Sequence, residues 1–207
     1  MSNAPRVCVC ASGGGSTLQN LIEHVADGRL DVRITRLIAS RAGIGAIARA
    51  EAAGIEVVVV PRPNKSVETF SDEIFRVAEG TDLVVLGGFL SLLKIAPDFR
   101  HKVINIHPSL IPAFSGKGFH GAAVHEAAIE SGVKVSGCTV HYADDTFDTG
   151  PIILQEVVRV RDDDTAATLA ARVSVAERRA LPEAIRRHVE GRLVVRGRQV
   201  HTLGVPP

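Results

Sequence analysis

The fold is decided by Val7–Leu18, which has the sequence VCVCASGGGSTL. Its first five residues are small and apolar, as in a buried strand, and Ser16 begins a pattern typical of a helix. The three glycines between them let backbone N–H groups approach an anion closely, and the N-terminus of a helix favours negative charge. The stretch therefore predicts a phosphate site, to which Ser16 and Thr17 add hydroxyl donors. The alternative is a tight strand–helix turn with a capping serine.

The glycine pattern favours a monophosphate group over a dinucleotide. In a dinucleotide fingerprint a third glycine would stand at Leu18, and an acid would end the second strand, where the sequence is Ser40-Arg41. The other common phosphate loop, GxxxxGK followed by Ser or Thr, is not found in the sequence, because Gly116-Lys117-Gly118 has the wrong spacing.

Outward from this stretch, short apolar runs alternate with helical patterns, which is typical of a parallel sheet. Strands are predicted at 7–11, 32–39, 55–60, 83–86, 103–106, 135–142, 152–160, 193–195 and 199–202. Helices are predicted at 16–25, 44–53, 66–78 and 122–130, and a last helix, capped by Asp164, runs to about Glu190. The sequence thus predicts an α/β fold with a mostly parallel twisted sheet and helices on both faces. We expect one domain, 1–207, with a Rossmann-type, phosphate-binding half over about residues 1–100.

Composition excludes several classes of protein. Lys and Arg total 24 and Asp and Glu total 23, so the net charge of +1 gives no general attraction to nucleic acid or to an anionic membrane. The longest apolar stretch, Leu83–Leu93, is about half the length that a membrane helix needs. Three cysteines without zinc-like spacing, and an N-terminus without an apolar signal segment, indicate a reduced, cytoplasmic protein. Among them, Cys8 and Cys10 are expected on one face of the first strand.

A second candidate site follows the strand predicted at 103–106. Asn105 and His107 are two residues apart, so their side chains point to the same side while Ile106 packs behind them. Ligands of open parallel sheets bind beyond the carboxyl ends of the strands, and this is such an end. An amide donor beside an imidazole suits the stabilisation of an oxyanion. A structural role for a single histidine is the alternative.

An acidic loop with the sequence ADDTFDTG offers a partner for the imidazole. Asp148 comes before a Gly-Pro pair and a buried strand, so its backbone is expected to be fixed. A carboxylate near His107 would raise the pKa of the imidazole toward neutrality or above and make it a general acid. His141 would form a second polar wall, whereas Asp144 and Asp145 suit solvated or capping roles.

The spacing of the remaining histidines does not match that of a metal site. His120 and His125 flank a glycine-rich loop, but His125 lacks a second histidine four residues later, which a zinc helix would need. The other histidines are expected at the surface: His24, His101, His188 and His201.

Three motifs together resemble the phosphoribosylglycinamide formyltransferase family, the folate-dependent formylating enzymes of purine synthesis. They are GGGSTLQ at 13–19, NIHPSLIP at 105–112 and DTGPIILQ at 148–155, in the family's order and with its separations. The likeness extends from about Arg6 to Gly191. It implies that the formyl group of 10-formyltetrahydrofolate, a co-substrate, is transferred to the amine of glycinamide ribonucleotide without a metal.

The resemblance also implies a role for each motif. Asn105 and a protonated His107 would stabilise the oxyanion, while Asp148 would keep His107 protonated and take part in proton transfer. Glu177 would contact the ribonucleotide, whose phosphate would bind to Gly13, Gly14, Gly15, Ser16 and Thr17. The folate would bind along Leu90, Ser91, Leu92, Leu93, Asn105, Asp144 and Asp145. On this basis, residues 101–207 form a catalytic and folate-binding half.

Some positions depart from the family pattern. They are Thr17, where many members have Asn, and Ser91 and Val67, where well-known members have Arg. Thr17 keeps a donor with a shorter reach. Lys65 or Arg62 would replace the missing arginines in holding the folate tail. Lys117 lies in a loop that is longer than the shortest in the family, where it would meet the ribonucleotide or the folate tail.

Other interpretations stay open. A formyltetrahydrofolate hydrolase would carry an N-terminal regulatory domain and a methionyl-tRNA formyltransferase a C-terminal tRNA-binding domain, and 207 residues are expected to leave room for neither. Formylation of another sugar nucleotide amine is possible on the same motifs. A nucleotide-binding module without catalysis would need no role for Asp148. We expect small-molecule substrates, no nucleic acid or membrane partner, and a monomer or homodimer.

Overall fold

Strands and helices alternate through the first part of the chain, as the sequence predicts. The computed structural model describes residues 4–204, and they divide into two compact units between Asn105 and Ile106. The strands that begin in the first unit are β1 (Arg6–Ala11), β2 (Arg33–Ala39), β3 (Glu56–Val59), β4 (Leu83–Leu86) and β5 (Val103–His107). Its helices are α1 (Ser16–Ala26), α2 (Gly45–Ala52), α3 (Val67–Val77) and a short 3₁₀ helix at Pro97–Phe99.

The strands of the first unit pair in the parallel order β3-β2-β1-β4-β5. Val7 of β1, for example, pairs with Ile34 of β2 on one side and with Leu83 of β4 on the other. The chain passes from β1 to β2 and β3, and then crosses back to β4 on the opposite side of β1. This change of direction is a topological switch point, where open α/β sheets bind ligands beyond the carboxyl ends of the strands.

The central strand β1 is buried on both faces. The side chains of Val7, Cys8, Val9 and Cys10 all have 0 % exposure, so the two cysteines lie on one face and the valines fill an equally buried opposite face. Such continuous burial is typical of a parallel strand covered on both sides, and it explains why the run shows no alternation of polarity. All three cysteines of the chain are free and buried.

The second unit mixes antiparallel and parallel pairing. Its elements are α4 (Ala122–Glu130), β6 (Val135–Tyr142), β7 (Ile152–Arg159), α5 (Ala166–Val189), β8 (Leu193–Arg196) and β9 (Gln199–Thr202). Strands β6 and β7 are antiparallel neighbours, and β8 and β9 form an antiparallel hairpin. One parallel pair, Ile152 with Gln199, joins β7 to β9. The prediction of a mostly parallel sheet with helices is confirmed.

The cap of α5 differs from the prediction. The residue before the helix is Thr165, whose hydroxyl accepts from the N–H of Thr168 at 3.2 Å. The Asp164 carboxylate instead binds the Arg172 guanidinium at 2.7 Å and accepts from the Arg161 N–H at 2.8 Å. These bonds hold the pKa of Asp164 below its ordinary value, with the Arg172 bond contributing most. A capping hydroxyl must accept from an N–H two or three residues later, and Thr165 is the residue placed to do so.

None of the helices within residues 4–204 combines the length and the apolar character that crossing a membrane requires.

Candidate active site

The glycine loop joins β1 to α1 at the switch point of the first unit. Gly15 is the N-cap of α1, with a φ of 77°, and Ser16 is the first helical residue as predicted, so the capping serine of the alternative interpretation is not found. A side chain at residue 15 is excluded, because an added Cβ would lie 2.6 Å from the Cα of Ala46. The Gly13 carbonyl accepts from the Ala46 N–H at 3.2 Å, which fixes the loop against the start of α2.

The backbone N–H groups of this loop are unused. Within residues 4–204, the N–H groups of residues 13–18 donate to no protein acceptor, and the first such bond of α1 is from Gln19 to Gly15. The outer sides of Gly13 and Gly14 are open, since an added Cβ at either would meet nothing within 4 Å. Ser16 is exposed and Thr17 half-buried. Together these groups form a set of donors suited to an anion.

Ser12 ties the glycine loop to its neighbours, a role that sequence patterns do not indicate. Its hydroxyl oxygen accepts from the Ser40 hydroxyl at 2.8 Å and from the Leu90 N–H at 3.2 Å. The ends of β1 and β2 and the segment after β4 are thereby held together inside the first unit. Both serines are buried, and their pairing satisfies polar groups that would otherwise cost stability.

His107 ends β5 as a buried imidazole with an acceptor at each ring nitrogen. Its Nδ1 lies 3.4 Å from Asp148 Oδ2, and its Nε2 lies 2.9 Å from the Phe114 carbonyl oxygen. The side chains of His107 and Asp148 are only 5 % and 9 % exposed. Asn105 is two residues earlier on the same strand, so its side chain points to the same side as that of His107.

Asp148 is held by its backbone and through both carboxylate oxygens. Its φ of 58° lies in the left-handed region, which the turn before Gly150 requires. Oδ2 accepts from the Gly116 N–H at 2.9 Å, and Oδ1 lies 3.6 Å from His141 Nε2. The predicted partnership of this carboxylate with His107 is therefore present in the structure, and the Gly116 N–H is a partner that no side-chain pattern could indicate.

The prediction that the pKa of His107 is raised is wrong, because the imidazole is buried. Burial lowers the pKa of His107 below its ordinary value, although the Asp148 carboxylate and the bond to Phe114 act to raise it. For Asp148, burial acts to raise the pKa, but the hydrogen bond from His141, the charge of His107 and the Gly116 N–H outweigh it and hold the pKa below its usual range. The carboxylate is thus ionised at neutral pH, and the imidazole loses its second proton easily.

Three other histidines of the second unit are buried or half-buried. His141 is buried on β6 and its Nδ1 bonds to the Tyr142 carbonyl at 2.9 Å, which turns its Nε2 toward Asp148. His125 is also buried, and its Nδ1 has no hydrogen-bond partner within residues 4–204. His188, expected at the surface, is half-buried because its Nδ1 bonds to the Tyr142 hydroxyl at 2.9 Å.

Glu177 lies on α5 in the second unit. Burial raises the pKa of its carboxyl to about 7. It is close enough to Cys138 that its charge, after burial, helps to raise the pKa of that thiol to about 12. A carboxyl group that titrates near neutrality can either donate or accept a hydrogen bond, as contact with a polar substrate group would require.

Replacement of Glu177 by glutamine is expected to change stability in a pH-dependent way. Because the folded-state pKa lies above the unfolded value, the stability contributed by Glu177 is present at low pH and is lost as the pH rises through 7. Glu177→Gln should therefore be more stable than the original chain at pH 8.5 by about 1–3 kcal/mol, with a smaller difference at pH 5. Urea unfolding at both values measures this, with the exposed Glu130→Gln as control. An equal difference at the two pH values would contradict it.

The residues expected to bind folate lie in both units. Leu90 is exposed, Ser91 and Leu92 are half-buried, and Leu93 is buried after β4. In the acidic loop, Asp145 is exposed and Asp144 accepts from the Thr146 N–H and the Thr149 hydroxyl, which stabilises the turn.

Of the lysines considered for the folate tail or the ribonucleotide, one is already paired. Lys65 forms an ion pair with Glu73, while the neighbouring Arg62 lies 5.3 Å over the Phe70 ring. Lys117 is exposed in its glycine-rich loop. Across the described part of the chain, no three His, Cys, Asp or Glu side chains come together as metal ligands.

The fold and the His107–Asp148 pair define a class of protein. Residues 5–185 match the family described as formyl transferase, and the chain belongs to this formyl transferase family. Several of its particular relatives are phosphoribosylglycinamide formyltransferases, which confirms the resemblance found in the motifs. The crystal structure of glycinamide ribonucleotide transformylase 1 from Symbiobacterium toebii is 38 % identical, with a TM-score of 0.88 over 98 % of this chain and 96 % of that one.

Two further comparisons bear on the activity. The chloroplastic phosphoribosylglycinamide formyltransferase of Vigna unguiculata is 37 % identical over 197 residues, which are 92 % of this chain but 63 % of that protein. The chain thus spans less than two thirds of that relative's length. A formyltetrahydrofolate deformylase from Pseudomonas syringae pv. tomato is 29 % identical, with a TM-score of 0.85 over 97 % of this chain and 66 % of that one. The fold is therefore shared by a transferase and a deformylase.

Proposed function

We propose that this chain transfers the formyl group of 10-formyltetrahydrofolate to the amine of N1-(5-phosphoribosyl)glycinamide, a step of de novo purine biosynthesis. The observation that carries the proposal is the buried pair of His107 and Asp148, with 3.4 Å between Nδ1 and Oδ2, at the end of a parallel strand. A buried imidazole next to an ionised carboxylate supplies a hydrogen-bond donor and a proton acceptor at one place.

Each group has a distinct part in the proposed chemistry. Attack of the amine nitrogen on the formyl carbon forms a C–N bond and leaves negative charge on the formyl oxygen. The Asn105 amide and an N–H of His107 would donate to that oxygen, and the charge would raise the pKa of His107, so that the imidazole holds its second proton when the oxyanion forms. Asp148, ionised at neutral pH, would accept the amine proton directly or through water. Collapse of the oxyanion breaks the bond to N10 of the folate, which gains a proton.

The Phe114 carbonyl competes with the substrate oxygen for the N–H of His107. It accepts from His107 Nε2 at 2.9 Å, so donation from that nitrogen to the oxyanion requires the substrate oxygen to take the place of the carbonyl. The short loop that carries Phe114 is held by the Gly116 N–H bond to Asp148. Substrate binding and the position of this loop would therefore be coupled.

The remaining binding roles follow from the same proposal. The unused N–H groups of residues 13–18, with Ser16 and Thr17, would hold the ribonucleotide phosphate, and Glu177 would contact the ribonucleotide. The folate would lie along Leu90–Leu93 and the acidic loop after β6. We propose that the enzyme acts on small molecules in the cytoplasm, as a monomer or homodimer. The three buried, free cysteines support a reducing compartment.

Hydrolysis of the formyl donor is the second candidate, because the Pseudomonas syringae deformylase shares the fold over 97 % of this chain. A hydrolase would use a water molecule as the nucleophile in place of the amine. The same buried imidazole and carboxylate would serve both reactions, so only dependence on the acceptor distinguishes them.

A formyl-transfer assay tests the proposal. With 10-formyldideazafolate as donor and glycinamide ribonucleotide as acceptor, we expect turnover that depends on the acceptor. His107→Ala should lower kcat on the order of 10²–10³-fold, the usual effect of removing one oxyanion donor. The exposed His201→Ala is the control. Formate release from the natural donor without acceptor would identify a hydrolase, and near-normal turnover by a folded His107→Ala would refute the mechanism.

A further inference from the structure

Arg49 on α2 contacts both the glycine loop and the first turn of α1. Its Nε donates to the Gly14 carbonyl at 2.9 Å, and its Nη1 donates to Gln19 Oε1 at 3.2 Å. Gln19 in turn donates to the Glu23 carboxylate at 3.1 Å. Arg49 itself is exposed and forms no ion pair within residues 4–204. No carboxylate among these residues neutralises its positive charge, which can therefore act on the glycine loop.

The bond to Gly14 determines where the next N–H points. In a trans peptide the carbonyl and the following N–H point in opposite directions. The Gly14 carbonyl faces Arg49, so the Gly15 N–H points away from α2. In the same way the Gly13 carbonyl faces the Ala46 N–H, at 3.2 Å, and turns the Gly14 N–H away from α2. Both donors belong to the unused set of residues 13–18.

The charge of Arg49 also acts on the peptide itself. A cation bonded to a carbonyl polarises the whole amide and makes its N–H a stronger donor, because neighbouring hydrogen bonds reinforce one another. A guanidinium is well suited to this position, since it stays charged at all accessible pH values and binds through a planar set of donors. Arg49 thus strengthens a donor that it does not itself cover.

We propose that Arg49 is a positioning residue for phosphate recognition, which holds the Gly14 carbonyl so that the Gly15 N–H is aimed and strengthened toward a phosphate monoester. The inference rests on the proposed function, because the phosphate is that of the ribonucleotide acceptor. Arg49 would not touch the substrate. Its effect should depend on the phosphate alone and should not reach the His107–Asp148 pair.

The test combines a change in the residue with a change in the substrate. Arg49→Gln is compared with Arg76→Gln, which also removes an exposed arginine from the last turn of a helix in the same unit. Each is assayed with the phosphorylated acceptor and with the same acceptor lacking its phosphate. We expect Arg49→Gln to raise KM for the phosphorylated acceptor about 5- to 10-fold, with kcat within about twofold, as for one exposed charge-assisted hydrogen bond. The acceptor without phosphate should show no change, and Arg76→Gln should resemble the original chain with both.

A second measurement does not depend on formyl transfer. Inorganic phosphate should raise the Tm of the original chain and of Arg76→Gln more than that of Arg49→Gln, because a ligand that binds the folded state stabilises it in proportion to its affinity. If no acceptor is formylated, the proposed function fails while this comparison still tests Arg49. Equal losses with both acceptors, no loss with either, or an equal or absent Tm response to phosphate would overturn the inference.

Discussion

Replacing Asp148 by asparagine is expected to lower the kcat of formyl transfer on the order of 10²–10³-fold while the protein stays folded. Asparagine has nearly the same size and, like aspartate, tolerates the left-handed φ of 58° at this position. It removes the negative charge that faces His107 Nδ1 at 3.4 Å and His141 Nε2 at 3.6 Å. The variant therefore loses its proton acceptor and a charge that favours the imidazolium form of His107.

The pH dependence of the Asp148→Asn variant follows from the same charges. Because the pKa of Asp148 lies below its ordinary value, the original enzyme should keep its carboxylate ionised and active well into the acid range. Removing the carboxylate also removes a contribution that raises the pKa of His107, so that pKa should fall further. Measuring kcat against pH for the variant and for the exposed Asp163→Asn control tests both points. A folded Asp148→Asn enzyme with near-normal kcat would show that the carboxylate has no part in the reaction.

Replacing Gly150 by alanine is expected to destabilise the second unit by more than about 4 kcal/mol, or to prevent folding. An added Cβ would lie 1.8 Å from the Tyr142 carbonyl oxygen, far inside van der Waals contact. That carbonyl cannot move away cheaply, because it bonds to His141 Nδ1 and its own residue's N–H donates to the Pro151 carbonyl at 2.9 Å. The clash would be relieved only by separating the turn of Asp148 from β6.

Gly132→Ala is the matched control for this stability prediction. Gly132 has a φ of 66°, and an added Cβ there would meet nothing within 4 Å. Its replacement should lower the free energy of unfolding by only about 1–2 kcal/mol, the strain of an alanine in the left-handed conformation. Urea unfolding of both variants, followed by circular dichroism, measures the difference. Equal midpoints for the two alanine variants would contradict the argument that close approach at residue 150 requires glycine.

Local patterns in the sequence predicted most of the secondary structure. The predicted bounds of β4, α4 and β6 agree with the structure to the residue, because each is followed within two residues by Gly or Asp, which are typical of turns. The predicted helix at 44–53 also agrees to within one residue at each end, with Gly54 in the left-handed conformation after it. Such elements depend on interactions within a few residues, and these can be inferred from sequence alone.

The partners of the candidate site show where this reasoning ends. His107 and Asp148 were paired from the sequence, but the Phe114 carbonyl and the Gly116 N–H that complete the arrangement are backbone groups, which every residue type possesses. The pKa of His107 was predicted in the wrong direction, because proximity to a carboxylate was considered and the larger effect of burial was not. His188 was assigned to the surface because its partner, Tyr142, is 46 residues away in the chain.

The sequence by itself determined the order of strands and helices, the glycine loop after β1, the membership of Asn105, His107 and Asp148 in one set of motifs, and the family those motifs resemble. Only the tertiary structure decided which backbone groups bond to His107 and Asp148, which histidines are buried, and whether burial raises or lowers the pKa of His107. Periodicity and glycine placement act over a few residues and leave marks in the sequence. Burial and backbone hydrogen bonds between distant segments depend on how the whole chain packs, and no single residue type encodes them.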